Sequence, residues 1–349
     1  TAIRTQKLPM EETSLFRPPL LLRNPHIQTI LASLAPRKKL AGKRARKLLM
    51  ASRETLLDCG DGVRLLGYAS IQPDTTKGLV TLIHGWEGSS DSAYILSAAG
   101  VLYDHGYSIF RLNLRDHGQS HHLNRELFNS TRLAEVAGGL RAIFRSFPHT
   151  RNFLVGFSLG GNFVLRLATM LPTDKGLNQC IAICPLIDPV ETTATLEQDH
   201  PVYHHYFVRK WRRSLSQKAA CFADLHIEEL LRGKSRLHLI HDAFVPRHTP
   251  YNTTRDYFLA YRITNTWLEK LRVPTHIIMA EDDPIISARH FNTIKETALL
   301  TIDGNAGEDI VAFSKAWISQ AGLTSGWSIF SISYLRFLFF EVFIVQKEI

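Results

Sequence analysis

The sequence predicts an α/β fold: a mostly parallel sheet flanked by helices and interrupted by one helical insertion. Three observations predict it. Strand-like and helix-like segments alternate from about Glu54 onward. Apolar runs such as "GLVTLIHG" and "NFLVGFS" end in glycine turns, as strands buried on both faces do. The alternation stops between Asp188 and about Thr264, then returns at "VPTHIIMAEDDP".

Each element follows in order. "ETLLDC" and "RLLGYASI" flank "GDG" and read as an antiparallel hairpin. "GLVTLIHG" is the next strand, and "SAYILSAAGVLYDHG" has helical periodicity that stops at Gly106. "YSIFRLNLRDHG", "TRLAEVAGGLRAIFRSF" and "NFLVGFS" continue as strand, helix and strand, followed by the helix of "LGGNFVLRLATML" and the strand "QCIAICPL". Such a succession gives parallel strands joined by crossovers. Residues 188–264 read as a mostly helical cap, rich in aromatics, histidine and base. Beyond it the core resumes over 265–321, with a strand, a helix from about Ser287 and the short strand "ALLTID".

The composition, 45% hydrophobic and 21% charged over 349 residues, excludes a largely disordered chain. Cys59, Cys180, Cys184 and Cys221 form no CxxC pair and no metal-ligand spacing. Cys180 and Cys184 fall in a strand-like run and read as buried reduced thiols, which suits the cytoplasm. The N-terminal stretch holds acids and no apolar h-region, so no secretory signal is expected. No cofactor is implied by any motif. The net charge of +9 is local: "RKKLAGKRARKLLMASR", Arg37–Arg53, at the junction of the N-terminal extension (1–52) with the core, has eight Lys/Arg and no acid, so the remainder carries +1. That run reads as a solvated helix face or linker, or as a peripheral contact with an anionic membrane. No aromatic interleaves with it, so no specific nucleic acid is expected.

The chemistry concentrates at Gly156-Phe157-Ser158-Leu159-Gly160, a G-x-S-x-G pattern between a strand and a helix. The serine sits on a tight corner, and the glycines let backbone segments approach where a Cβ would collide. A nucleophilic hydroxyl needs amide donors for the developing oxyanion. The backbone N–H groups of Leu159 and of Trp86, in "LIHGWEGSS", supply two candidates. His84 precedes Gly85 and reads as a residue that shapes this loop. Asp283, before Pro284, is the preferred carboxylate to orient a base, with Asp282 as the alternative.

Taken together, these motifs resemble the α/β-hydrolase superfamily, in particular its YheT-like, abhydrolase-domain branch. The resemblance rests on "FRPPLLLRNPHIQTI", "HGWEGSSDSAYILSAAGVLYDHGYSIFRLNLRDHGQSHHLN", "VGFSLGGNFVLRLA", "CPLIDP" and "AEDDPII", roughly residues 15–300. It implies the α/β-hydrolase fold, a serine esterase or lipase-like activity on acyl or lipid-like carboxylic esters, and no cofactor. It also implies a histidine after the last core strand. Here that stretch, "LLTIDGNAGEDIVAFSKAW", has none. The only histidine beyond Asp283 is His290; His117, His121 and His122 in "RDHGQSHHLN" are the other candidates. The ending, 322–349, is an atypical apolar tail; within it Trp327–Val345 is nearly all apolar or aromatic, and Arg336 and Glu341 make it marginal as a membrane span. Departure from the family pattern near Asp303, by divergence or an altered reading frame, accounts for both features. The alternative to an enzyme is a non-catalytic α/β-hydrolase fold that binds an acyl ligand or a partner.

Overall fold

The computed structural model describes residues 35–303, apart from 75, 172–175, 280–282 and 284. Asp282, the first 34 residues, the end of the core over 304–321 and the tail 322–349 therefore lie outside the described residues.

The chain enters through two short helices, α1 (Ala35–Arg44) and α2 (Arg46–Met50). Strands β1 (Ser52–Asp58) and β2 (Arg64–Ser70) form the expected hairpin, with Leu57 facing Leu65 across it. Then come β3 (Leu79–Ile83), α3 (Ala93–Asp104), β4 (Ser108–Leu112), α4 (Leu133–Ser146), β5 (Asn152–Phe157), α5 (Leu159–Met170) and β6 (Leu177–Ile183). After the insertion, β7 (Thr275–Ile278) and β8 (Leu300–Asp303) complete an eight-stranded sheet of order β1-β2-β4-β3-β5-β6-β7-β8. β2 pairs antiparallel with both β1 and β4; β3 to β8 run parallel.

Residue alternation assigns the two faces. Leu79 and Ile83 of β3 join Leu154 of β5, Phe163 and Leu167 of α5, and Leu140 of α4 in one core cluster. Val80 and Leu82 point the other way, with Val155 and Phe153, onto Ile95, Ala99 and Leu102 of α3. All five residues of β3 and of β4 are buried, which is why these runs lack the polar alternation of a half-exposed strand.

Five helices, α6 (Pro189–Gln198), α7 (Pro201–Cys221), α8 (Ile227–Leu231), α9 (Leu237–His248) and α10 (Thr254–Ala260), fill the interval between β6 and β7, followed by the short α11 (Asn265–Leu268). Asp188 caps α6 by accepting from the amides of Val190 and Glu191, with Pro189 at the first helical position. The insertion leaves and returns at one point: the Ile263 amide donates to the Ile187 carbonyl at 2.9 Å. Asn162, buried in α5, donates to the carbonyls of Leu186 and Tyr261 and so ties both ends to the core.

Three expectations need correction. The helix from about Ser287 is only a six-residue 3₁₀ segment, Ala288–Thr293. Asn265 stops it, donating to the Thr293 carbonyl and accepting from the Lys295 amide, which draws the chain into an extended path. Cys180 is buried, but Cys184 is only half-buried, because at φ 41° it has already left the strand. Of the two readings of the basic run, the helix face holds and the linker does not: Ala35–Met50 forms α1 and α2, which pack on α3.

Candidate active site

The strand-to-helix corner is built from backbone packing. Ser158 holds φ 52° and ψ −116°, a conformation that costs a non-glycine residue about 1–3 kcal/mol. Its amide donates to the Ile183 carbonyl at 2.9 Å, and its carbonyl accepts from Asn162 and Leu186 amides at 3.0 and 3.1 Å. A Cβ on Gly156 would stand 2.3 Å from the Gly160 carbonyl oxygen, and one on Gly160 only 2.4 Å from that of Ile83. The glycines are thus required by close approach, and the geometry holds the serine side chain off the regular helix.

Facing it is the loop after β3. A Cβ on Gly85 would meet the Ser158 Cβ at 3.2 Å, so the loop lies directly against the serine. Gly85 donates its amide to the Tyr94 hydroxyl, and Gly88 donates to the Gly85 carbonyl, closing a tight turn around Trp86 and Glu87. Ser158, Leu159, Trp86 and Asp283 all line one cavity of about 720 Å³, a volume ordinary for a small-molecule site. Leu159 begins α5, where amides have no partner in a preceding turn and the helix dipole favours negative charge. Asp283 accepts from the amides of Ile285 and Ile286 at 2.8 and 3.0 Å, which fixes its carboxylate on the turn after β7.

The histidines divide sharply. His84 accepts the Leu114 amide on Nε2 at 3.2 Å, so Nδ1 carries the proton and donates to the Gly85 carbonyl at 2.7 Å. Both nitrogens are committed to the loop, and burial pushes the imidazole down to about 4. His117 is held the same way, accepting from the Glu87 amide on Nε2 and donating from Nδ1 to the Arg115 carbonyl. Burial, then neighbouring His84, holds it well below its ordinary value. It lines the cavity but has no lone pair to offer. His122 is exposed, and His290 is absent from the cavity lining; its Nε2 lies 2.9 Å from a Glu191 carboxylate oxygen on α6.

Two imidazoles on the cavity wall keep a lone pair. Ser214 donates to the Asp116 carbonyl, so His121 Nε2 donates to the Ser214 hydroxyl at 2.9 Å and Nδ1 remains an acceptor. His241, on α9, donates from Nδ1 to the Leu237 carbonyl at 2.9 Å, leaving Nε2 as the acceptor. Burial lowers both to about 4. Sequence reading did not single out His241. Its only signal was its position in a histidine-rich insertion, and its place at the cavity depends on how α9 packs.

One stripe of α7 fastens the insertion to the loops around the serine. The Phe207 ring stacks on Trp86 with centroids 5.3 Å apart, and Trp211 meets Trp86 edge-on at 5.4 Å. Lys210 donates to the Glu87 carbonyl at 2.9 Å. Lys218, buried about two turns further on, donates to Asp116 Oδ1 at 2.8 Å and to the carbonyls of His121 and Asn124. Burial pushes the Asp116 carboxyl up and Lys218 opposes it. Burial also drives the Glu87 carboxyl up to about 8, against the pull of Lys210. Among the described residues no group of three or more His, Cys, Asp or Glu is placed to hold a metal ion.

Parallel strands in this order, a serine corner after the central strand and an insertion above it define the class of α/β hydrolases. The chain belongs to that family: the family model described as alpha/beta hydrolase fold matches residues 78–311. It is YheT-like within it, 24% identical over 269 residues to "Putative esterase YheT" of Escherichia coli, covering 75% of this chain and 76% of that protein. It is also 25% identical over 167 residues to "Monoacylglycerol lipase ABHD2" of Mus musculus, covering 44% of this chain and 39% of that protein. Among solved structures, the Pyrococcus furiosus esterase PF2001 shares the fold, with a TM-score of 0.51 and 15% identity over 78% of this chain and 89% of that one.

Proposed function

We propose that this chain is a serine hydrolase of carboxylic esters with acyl or lipid-like substrates, working through an acyl-enzyme on Ser158. In this reading residues 53–187 and 265–321 are the catalytic core, and 188–264 are a cap that sets substrate choice. The observation that carries it is the strained conformation of Ser158, held against the Gly85 loop and open to the cavity. Ser158 Oγ attacks the ester carbonyl, and the amides of Trp86 and Leu159 receive the oxyanion. The alkoxide leaves with a proton, water then attacks the acyl-enzyme, and Ser158 is regenerated. Asp283, on the wall of the same cavity, supplies the carboxylate that offsets the charge of the imidazolium. The apolar walls, including Leu186, Leu196, Phe244 and Phe258, suit an acyl chain.

The base is the weak point of this chemistry. His121 and His241 are the cavity imidazoles with an uncommitted nitrogen, and imidazoles held near 4 are poor bases. The expected activity is therefore low and flat with pH above about 5. The two engaged nitrogens of His117 favour a second reading, an acyl-binding fold with residual or no turnover. A fluorophosphonate probe separates them. Stoichiometric labelling that vanishes in Ser158→Ala, and slows in His241→Gln or His121→Gln, supports the enzyme. Folded protein that never labels supports the binder.

Cys59, Cys180 and Cys221, none of them in a disulfide, support a reducing compartment such as the cytoplasm. Among the described residues no helix is long and apolar enough to cross a membrane. A lipid-like substrate would bring the enzyme to a membrane surface, and Arg37–Arg53 offers a means of peripheral contact.

A further inference from the structure

The cavity makes no use of the basic run, yet the run is folded and displayed. α1 and α2 form a nearly continuous rod, since the Ala45 amide donates to Ala41 and the Leu49 amide to Ala45, both at 2.9 Å. The rod docks by one narrow stripe, Ala41, Ala45 and Leu48, which are buried against α3. The approach is close enough that a Cβ on Gly100 would stand 3.1 Å from the Ala45 Cα. The solvent side carries charge: Lys39, Lys43, Arg46 and Lys47 are all exposed. Lys47 lies 3.8 Å from Asp104 yet is still 82% exposed, so that pair leaves its charge largely solvated. At the end of the rod two apolar side chains project into solvent, Leu49 and, at 78% exposure, Met50.

We propose that this rod is the surface by which the protein docks on an anionic lipid bilayer, with its cations in the headgroup layer and Leu49 and Met50 in the acyl boundary. The proposal deepens the peripheral contact named above and does not depend on catalysis. Charge complementarity selects the partner class: a dense cationic face with no interspersed acid is attracted to anionic headgroups. The apolar tip selects a bilayer over a nucleic acid. Leu49 and Met50 would gain burial in lipid, whereas on a phosphate backbone they have neither a groove nor a base to stack on.

Vesicle sedimentation with the full chain tests this. The Ser158→Ala variant is used throughout, so that hydrolysis of lipid, or its absence, has no bearing on the outcome. Vesicles of phosphatidylcholine with about one-third phosphatidylserine, in about 0.1 M salt where screening reaches ~10 Å, should bind at least tenfold more protein than phosphatidylcholine alone. Replacing Lys39, Lys43 and Lys47 by Gln should weaken binding on the order of 100-fold, about fivefold per charge. Leu49→Asn with Met50→Asn should weaken it about tenfold while leaving the salt dependence intact. These side chains are exposed, and an unchanged thermal midpoint verifies folding. Failure of the unsubstituted rod to bind, equal binding to both vesicles, or binding to duplex DNA but not to vesicles overturns the proposal. Binding that the Gln triple variant leaves unchanged does so as well.

Discussion

The two walls of the cavity are held by different physics. The core wall, at Ser158, is backbone against backbone: three glycines at van der Waals limits, a strained φ, and amides satisfied by neighbouring strands. The cap wall is side chain against loop: Trp86 between Phe207 and Trp211, Lys210 on a carbonyl, and Lys218 buried with Asp116. The first wall has almost no titratable group and little freedom. The second carries a buried lysine, a raised carboxyl and imidazoles held neutral, so it responds to pH and to single charges. The lesson is that backbone packing sets the geometry of Ser158, whereas the proton chemistry arises where core loops carrying Glu87, Asp116 and His121 meet the insertion's Lys218 and His241.

The largest expected effect lies on the cap wall. Lys218→Met leaves the Asp116 carboxylate buried without its cation and should cost about 3–5 kcal/mol of stability, measured by denaturant unfolding. A loss below about 1 kcal/mol would mean that solvent reaches Asp116 and the wall is looser than described. Next comes the core wall: Gly160→Ala drives a methyl against two backbone carbonyls at 2.4 and 2.5 Å and should cost about 3 kcal/mol or abolish folding. A neutral result would remove the claim that close approach, and not local flexibility, requires that glycine.

The third prediction concerns protons. His84 and His241 should titrate near 4 in the folded protein, with the proton on Nδ1 in each, while His121 carries it on Nε2. Nitrogen-detected NMR reads both properties, and a midpoint near 6.5 for either buried ring would contradict the account. The sign for stability follows. Between pH 6.5 and about 4 the unfolded chain binds protons that the folded one refuses. Each of these rings thus contributes stability fully present above 6.5 and lost as pH falls to about 4. The raised Glu87 carboxyl works oppositely, weakening the fold as pH rises from about 4.5 toward 8. The smallest effect is a gain: Ser158→Gly relieves the strained φ and should stabilise by about 1 kcal/mol while eliminating labelling.

What was legible in the sequence follows the same division. The serine corner, the hairpin, the parallel strands and Asp283 on its turn were readable because their signals are local: glycine spacing, apolar runs, a carboxylate after a strand. The cap wall was not, because its contacts join residues about a hundred positions apart. Nothing in "VRKWRRSLSQK" announces that Lys218 will be buried beside Asp116, or in "LIHDAF" that His241 will reach the cavity. The short 3₁₀ segment at Ala288–Thr293 was missed for the same reason, since Asn265 ends it from outside. Likewise, the basic run gave its charge but not its docking stripe, which depends on Gly100 of α3.

The most direct test of the central claim is to trap the acyl-enzyme. The protein would be incubated with a p-nitrophenyl acyl ester, quenched in acid, and its peptides mapped by mass spectrometry. The account predicts an acyl adduct on Ser158 that disappears in Ser158→Ala. An adduct on a different residue, or folded protein that binds the ester and never acquires an acyl group, would contradict it.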